Sequence, residues 1–146
     1  MSIKVLFLCT GNSCRSQMAE AFCNDMHKNI KAYSAGIKKK GLDPMAVKIM
    51  QEENIDMSLK QYSKKLKELE NVEFDFVFTV CGHADETCPV FPGDTVKIHH
   101  PFDDPPKLAK KEMFEEKKLE IYRRVRDEIK NFVGNIPKTI EERSNS

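Results

Sequence analysis

The feature that most constrains the fold is an alternation of short β-rich runs with longer helical ones. Residues 3–8 form a brief, nearly all-apolar run with β-branched members, ending at a glycine-containing turn, and so read as a buried strand. Residues 33–36 read as a weaker strand and turn, 74–80 as a second strong strand ending at Cys81, and 96–98 as a further one. Between them lie helical patterns. Residues 16–28 carry Met18, Phe22 and Met26 at four-residue intervals, and Asp43-Pro44 has the form of an N-cap followed by proline at the first helical position, leading into Ala46, Val47, Met50 and Asn54. A short helix is expected over 63–69. A long one follows with Phe114, Ile121, Val125, Ile129 and Phe132 on one face, and the polar residues after Gly134 are expected to fray. Strands separated by helices pair in parallel through crossovers. The expected class is therefore α/β, with three layers: a four-stranded parallel sheet between helices on both faces. Residues 1–134 are expected to form one catalytic domain and 135–146 a polar tail.

At 146 residues the chain has the length of one domain with one core. Twenty-four basic against 23 acidic residues leave a charge of +1, which argues against nucleic-acid binding through bulk electrostatics. There is no apolar run long enough to span a membrane, and residues 1–8 lack the apolar stretch of a secretion signal, so a cytoplasmic, monomeric protein is expected. In that setting five cysteines, at 9, 14, 23, 81 and 88, are expected to be reduced thiols rather than a disulfide framework.

In open α/β sheets ligands bind at the carboxyl ends of strands. The first such end is Cys9-Thr10-Gly11-Asn12-Ser13-Cys14-Arg15-Ser16, with a strand before it and a helix directly after. Such a turn can present the backbone N–H groups of residues 10–15 to a tetrahedral oxyanion, assisted by the positive end of the helix. Arg15 offers a planar fork for two oxygens. The same field favours thiolate over thiol at Cys9, and Ser16 can add a hydroxyl donor to the sulfur, giving a nucleophile held beneath an anion. Cys14 and Cys23 read as packing residues, though the backbone of Cys14 belongs to the binding turn. The Lys38–Lys40 and Lys64–Lys65 runs read as solvated faces. His99 and His100 read as structural, and the cysteines and histidines lack the spacing of a zinc site, so neither metal nor cofactor is expected.

The run VLFLCTGNSCRSQMAE at residues 5–20, with Tyr33-Ser34-Ala35-Gly36 and Phe102-Asp103-Asp104-Pro105, resembles the low-molecular-weight protein tyrosine phosphatase fold family. Within it the chain is most similar to the thioredoxin-coupled arsenate reductases, from Ile3 to about Phe132. The resemblance implies Cys9 as nucleophile, Arg15 and the loop as oxyanion binder, and Asp104, the aspartate immediately before proline, as general acid. It also implies that Cys81 and Cys88 relay oxidising equivalents outward, through a Cys9–Cys81 disulfide and then a Cys81–Cys88 disulfide, which thioredoxin reduces. If residues 81–88 are helical in the reduced protein, their ~1.5 Å rise per residue sets the terminal Cα atoms about 10 Å apart. A disulfide needs roughly 4.4–6.8 Å, so the segment would have to unwind.

Two other readings stay open on sequence alone. One is a phosphotyrosine phosphatase using Cys9, Arg15 and Asp104. The other is a non-enzymatic redox sensor or anion-binding module. Pro106-Lys107-Leu108 stands where the phosphatases carry substrate-gripping tyrosines, which favours the reductase. Some reductases of this type hold potassium beside the loop. Asn12, Glu20 and Ser34 match that set, but Gln61 and Ser63 stand at the later positions, so no potassium site is expected.

Overall fold

The computed structural model describes residues 2–144. Four strands, β1 (Ile3–Cys9), β2 (Ile30–Gly36), β3 (Phe76–Thr79) and β4 (Val96–His99), form one parallel sheet in the order β2-β1-β3-β4. The helices among the described residues are α1 (Arg15–Met26), α2 (Pro44–Gln51), α3 (Met57–Lys60), α4 (Gly82–Thr87), α5 (Pro105–Ala109), α6 (Glu115–Gly134) and α7 (Ile136–Ser144). Successive strand side chains point to opposite faces. All of Val5 to Cys9 and all of Phe76 to Thr79 are buried, so both faces of the sheet centre are covered, as the apolar runs require.

The topology fixes where chemistry can occur. From β1 the chain crosses to β2 on one side, then later returns to place β3 on the other. The carboxyl ends of β1 and β3 therefore flank the point where the strand order reverses, which is where such sheets open a crevice. Leu8 pairs with Thr79, and Val80 N–H donates to the Leu8 carbonyl at 2.9 Å. Cys9 and Cys81 thus leave adjacent strands at the same edge.

Several local expectations change. The 63–69 segment is helical only as a 3-10 turn at Leu66–Leu69, because residues 64 and 65 are drawn alongside β2: Gly36 N–H donates to the Lys64 carbonyl at 2.9 Å. The buried stripe of α6 is Leu119, Tyr122, Val125, Arg126, Ile129 and Val133, rotated from the expected one. Phe114 is the N-cap, ahead of the first helical turn, and is 70% exposed.

Beyond Gly134 the described residues, to 144, are helical rather than frayed. After a break at Asn135 they form α7, and Ile136 and Ile140, one turn apart, enter the core at 0% and 7% exposure. Two apolar residues at i and i+4 suffice to seat a short polar helix. Ile136→Ala is expected to cost about 2–5 kcal/mol in urea unfolding. The exposed Lys138→Ala on the same helix is expected to stay within about 0.5 kcal/mol.

Candidate active site

Residues 9–14 wrap a small concavity because all six of their carbonyls are tied outward. The Cys9, Thr10, Gly11 and Ser13 carbonyls accept from the backbone N–H groups of Ile37 (3.3 Å), Lys38 (2.9 Å), Lys40 (3.0 Å) and Asp43 (2.9 Å). The Asn12 carbonyl accepts from Gln17 Nε2 at 3.0 Å, the Cys14 carbonyl from Met18 N–H at 2.9 Å, and Ser63 Oγ adds a second bond to Gly11 at 3.1 Å. Since a trans peptide points its N–H opposite to its C=O, this arrangement turns the loop amides inward. Asn12 completes the curve at φ +49°, a left-handed conformation that asparagine tolerates better than most residues.

The side chains expected from the sequence to be reactive meet there. Cys9, 3% exposed, stands 2.7 Å from Ser16 Oγ. Arg15 Nη1 donates to the Phe102 carbonyl at 3.0 Å, and its Nη2 lies 3.7 Å from Asp104 Oδ2, so one guanidinium draws the aspartate loop over the concavity. Asp103 is held away by Arg124 Nη2 at 2.9 Å, which divides the two neighbouring aspartates between anchoring and the site. The cavity, about 350 Å³, is lined by Cys9, Thr10, Ser13, Arg15, Lys40 and Asp104 among others. A larger cleft of about 1040 Å³ between Leu69, Val72 and Phe91 contains none of these groups.

Cys81 reaches the same loop: its Sγ is 3.1 Å from Thr10 Oγ1 and accepts from Ala84 N–H at 3.4 Å. It is the N-cap of α4, and half-buried Cys88 is the C-cap. The two cysteines therefore bracket one short helix, for which a rise of ~1.5 Å per residue sets their Cα atoms about 10 Å apart. Burial raises the Cys14 thiol well above its ordinary range, aided by nearby Asp43, and pushes Cys23 up to about 12. Both are buried side chains, in keeping with packing. His99 Nδ1 pairs with Thr79 Oγ1 at 2.8 Å, and the His100 ring stacks on Phe132 at 4.2 Å.

Three contributors were missed from sequence. Gln17, fully buried, bonds both the carbonyl and the Oδ1 of Asn12. Gly36 lies so close to the loop that a Cβ there would collide with Lys38 O, and would sit 2.8 Å from Asn12 N and 2.9 Å from Thr10 O. Lys64, expected on a solvated face, is 7% exposed. Its ammonium lies between the Ser34 and Tyr62 carbonyls and Glu20, so the cation beside Glu20 and Ser34 is the chain's own. A potassium ion would have to share those oxygens with an ammonium already present, and these residues do not fit one. A burial pattern set by tertiary contact left no signal for Lys64 or Gln17, but glycine at the end of a strand beside the loop was a readable sign of close approach.

Because the atoms facing Gly36 are backbone, they cannot swing aside. Gly36→Ala is expected to lower stability by about 1–3 kcal/mol and weaken phosphate binding at least about tenfold by calorimetry. Wild-type affinity in that variant would show that the loop tolerates displacement.

The sequence model of the family described as low molecular weight phosphotyrosine protein phosphatase matches residues 4–146. An arsenate reductase of Halalkalibacterium halodurans is 47% identical over 131 residues, covering 88% of this chain and 91% of that protein. One of Oceanobacillus iheyensis is 41% identical over 143 residues, covering 97% and 100%. A solved arsenate reductase in its phosphate-binding state superposes with a TM-score of 0.74 at 29% identity, covering 94% of this chain and 98% of that one. With its oxyanion loop, Arg15 and the aspartate loop in the geometry described, the chain belongs to the low molecular weight phosphotyrosine protein phosphatase family, with arsenate reductases among its relatives.

Proposed function

We propose that this protein reduces arsenate to arsenite through a relay of Cys9, Cys81 and Cys88, with a thioredoxin-type dithiol as the electron donor. The observation that carries the reading is the second thiol at the oxyanion loop, Cys81 Sγ on Thr10 Oγ1. Hydrolysis of a phosphoester at Cys9 needs no such group. The relatives over 40% identical that bear the name arsenate reductase support the same reaction.

The steps follow from the positions. Arsenate binds with its oxygens on the inward amides of residues 10–15 and the Arg15 fork. The Cys9 thiolate, with the Ser16 hydroxyl at its sulfur, attacks arsenic, and Asp104 protonates the departing oxygen so that water leaves. Cys81 then attacks Cys9 Sγ. The sulfur–arsenic bond breaks, its electron pair passes to arsenic, and arsenite departs as the Cys9–Cys81 disulfide forms. Thr10 holds Cys81 at the loop for this step. Cys88 attacks Cys81 by thiol–disulfide exchange, which frees the Cys9 thiolate and leaves Cys81–Cys88. Closing that bond requires α4 to unwind, because its helical span of about 10 Å exceeds the roughly 4.4–6.8 Å a disulfide accepts. A dithiol donor then restores both thiols, two electrons per arsenate.

In an assay coupled through thioredoxin and its reductase, arsenate is expected to drive NADPH consumption and phosphate to drive almost none. Cys88→Ser is expected to form about one arsenite per enzyme and then stop, because the Cys9–Cys81 disulfide has no internal thiol to resolve it. Sustained turnover by Cys88→Ser would remove Cys88 from the relay. Hydrolysis of an aryl phosphate with no response to arsenate would replace the reductase with a phosphatase.

Oxidation also has a structural readout. Amide exchange across residues 82–87 is expected to accelerate by more than about tenfold in the Cys81–Cys88 disulfide form, as for a segment that has lost its helix. Equal protection in the two states would exclude unwinding as the route to the second disulfide.

A further inference from the structure

Lys64 is nearly inaccessible, and its surroundings explain more than packing. Its Nζ donates to the Ser34 carbonyl and the Tyr62 carbonyl, each at 3.1 Å, stands 3.9 Å from Glu20 Oε1, and lies 4.6 Å from the Tyr62 ring centroid. Ser34 Oγ donates to the same Glu20 oxygen at 2.7 Å. One ammonium therefore ties together β2 through Ser34, α1 through Glu20, and the turn at 62–64.

Burial works against the charged form of both partners. Burial raises Glu20 above the usual carboxylate range, with Ser34 and Lys64 opposing, and burial lowers Lys64, with Glu20 opposing. For a raised acid the stabilising contribution is lost as pH rises through its folded value. For a lowered base it is lost as pH falls through its folded value. The charged form of each is therefore its unfavourable one, as is common for buried ion pairs.

The same lysine also presents a backbone donor to the loop. Lys64 N–H donates to Asn12 Oδ1 at 2.9 Å, and Gln17 Nε2 donates to the same oxygen at 2.8 Å. A backbone N–H can only donate, so the Asn12 amide is fixed with Oδ1 toward Lys64 and Nδ2 toward Ser16, where Nδ2 donates to Ser16 Oγ at 2.9 Å. With that lone pair occupied, the Ser16 hydroxyl hydrogen is free to point at Cys9 Sγ, 2.7 Å away.

We propose that the buried Lys64–Glu20 pair is a positioning device for the nucleophile: it fixes the 62–64 turn so that Lys64 N–H, Asn12 and Ser16 aim one hydroxyl hydrogen at the Cys9 sulfur. Neither residue touches substrate, and both act through Asn12. The inference rests on Cys9 being the nucleophile of the reaction proposed above, and it makes a lysine inside the fold a determinant of that reactivity.

The test is the double variant Lys64→Met with Glu20→Gln, which removes both charges at similar volume and leaves no orphaned ion. Alkylation of Cys9 by iodoacetamide is followed by peptide mass spectrometry across pH. The expected result is a folded protein whose Cys9 reacts about tenfold more slowly at pH 7, with a profile displaced to higher pH by about one unit. The kcat for arsenate is expected to fall by a similar factor with KM changed less than about threefold, since the anion-binding amides and Arg15 are retained. A control pair, Arg126→Met with Glu52→Gln, removes another partly buried ion pair remote from the loop and is expected to leave the Cys9 profile in place. Where the double variant does not fold, Lys64→Gln with Glu20→Gln, which also removes both charges but keeps polar groups beside the Ser34 and Tyr62 carbonyls, supplies the same reading. A folded variant with wild-type Cys9 alkylation and pH profile would overturn the proposal and leave the pair a structural feature. Alkylation is read without arsenate, so a failure of arsenate reduction and a failure of this inference are separately visible.

Discussion

The structure depends on six consecutive carbonyls being turned outward between β1 and α1. A tight loop cannot direct both halves of a peptide inward, and here the outward half is fully engaged by other parts of the chain. The residues that engage it come mainly from 36–43, the connection after β2. The proposed oxyanion site is therefore a product of sheet pairing: β2 runs beside β1 in register up to Cys9 opposite Gly36, and the chain continues directly over the loop. Asp43 ends this run by donating its N–H to Ser13, capping α2 through Met45 N–H at 2.9 Å, and accepting from Tyr122 Oη on α6 at 2.6 Å. A shift anywhere along that path would turn carbonyls into the anion's place.

The same constraint explains what could be read without coordinates. The strand ends, the glycine and asparagine of the turn, Arg15 and the helix start are local, and each leaves its residue type in the sequence. The parallel sheet followed from strand spacing, and the shared edge of Cys9 and Cys81 from both ending strong apolar runs. Asp104 and the roles of Cys81 and Cys88 came through family resemblance rather than from spacing. Gln17 and Lys64 were not legible, because their importance lies in contacts with residues dozens of positions away. Lysine beside another lysine has the pattern of a surface, and only the crossing of the 62–65 segment behind the loop makes Lys64 an interior residue. The tail failed for a related reason: Ile136 and Ile140 are two residues in a polar stretch, and their weight depends on the cavity that receives them.

The five thiols show how environment, rather than residue type, assigns chemistry. Cys23 is enclosed on α1 and Cys14 at its N-cap, and desolvation holds both in the protonated form that neither attacks nor exchanges readily. Cys9 is as deeply placed, yet its sulfur has a polar neighbour, the Ser16 hydroxyl at 2.7 Å. Cys81 has polar neighbours as well, in Thr10 Oγ1 and the Ala84 N–H. Cys88 alone of the five is half-buried, at the outer end of α4. The ordering from enclosed to accessible, Cys9 and Cys81 to Cys88, follows the direction in which the proposed relay carries oxidation.

That gradient places a demand on the fold that a rigid scaffold would not meet. In the proposed relay the first transfer joins thiols that leave adjacent strand ends, while the second would have to shorten a helix of six residues flanked by Cys81 and Cys88. A helix this short gains little from its own hydrogen bonds and is held chiefly by tertiary contact. Gly82 near its start and Pro89 just beyond Cys88 add little to its persistence. The loop under Cys9 is the reverse case, with every carbonyl committed and a buried ion pair behind it. The proposed reaction asks for rigidity at the loop and a marginal helix between Cys81 and Cys88, separate requirements that one sheet edge satisfies because two different connections, after β1 and after β3, supply them.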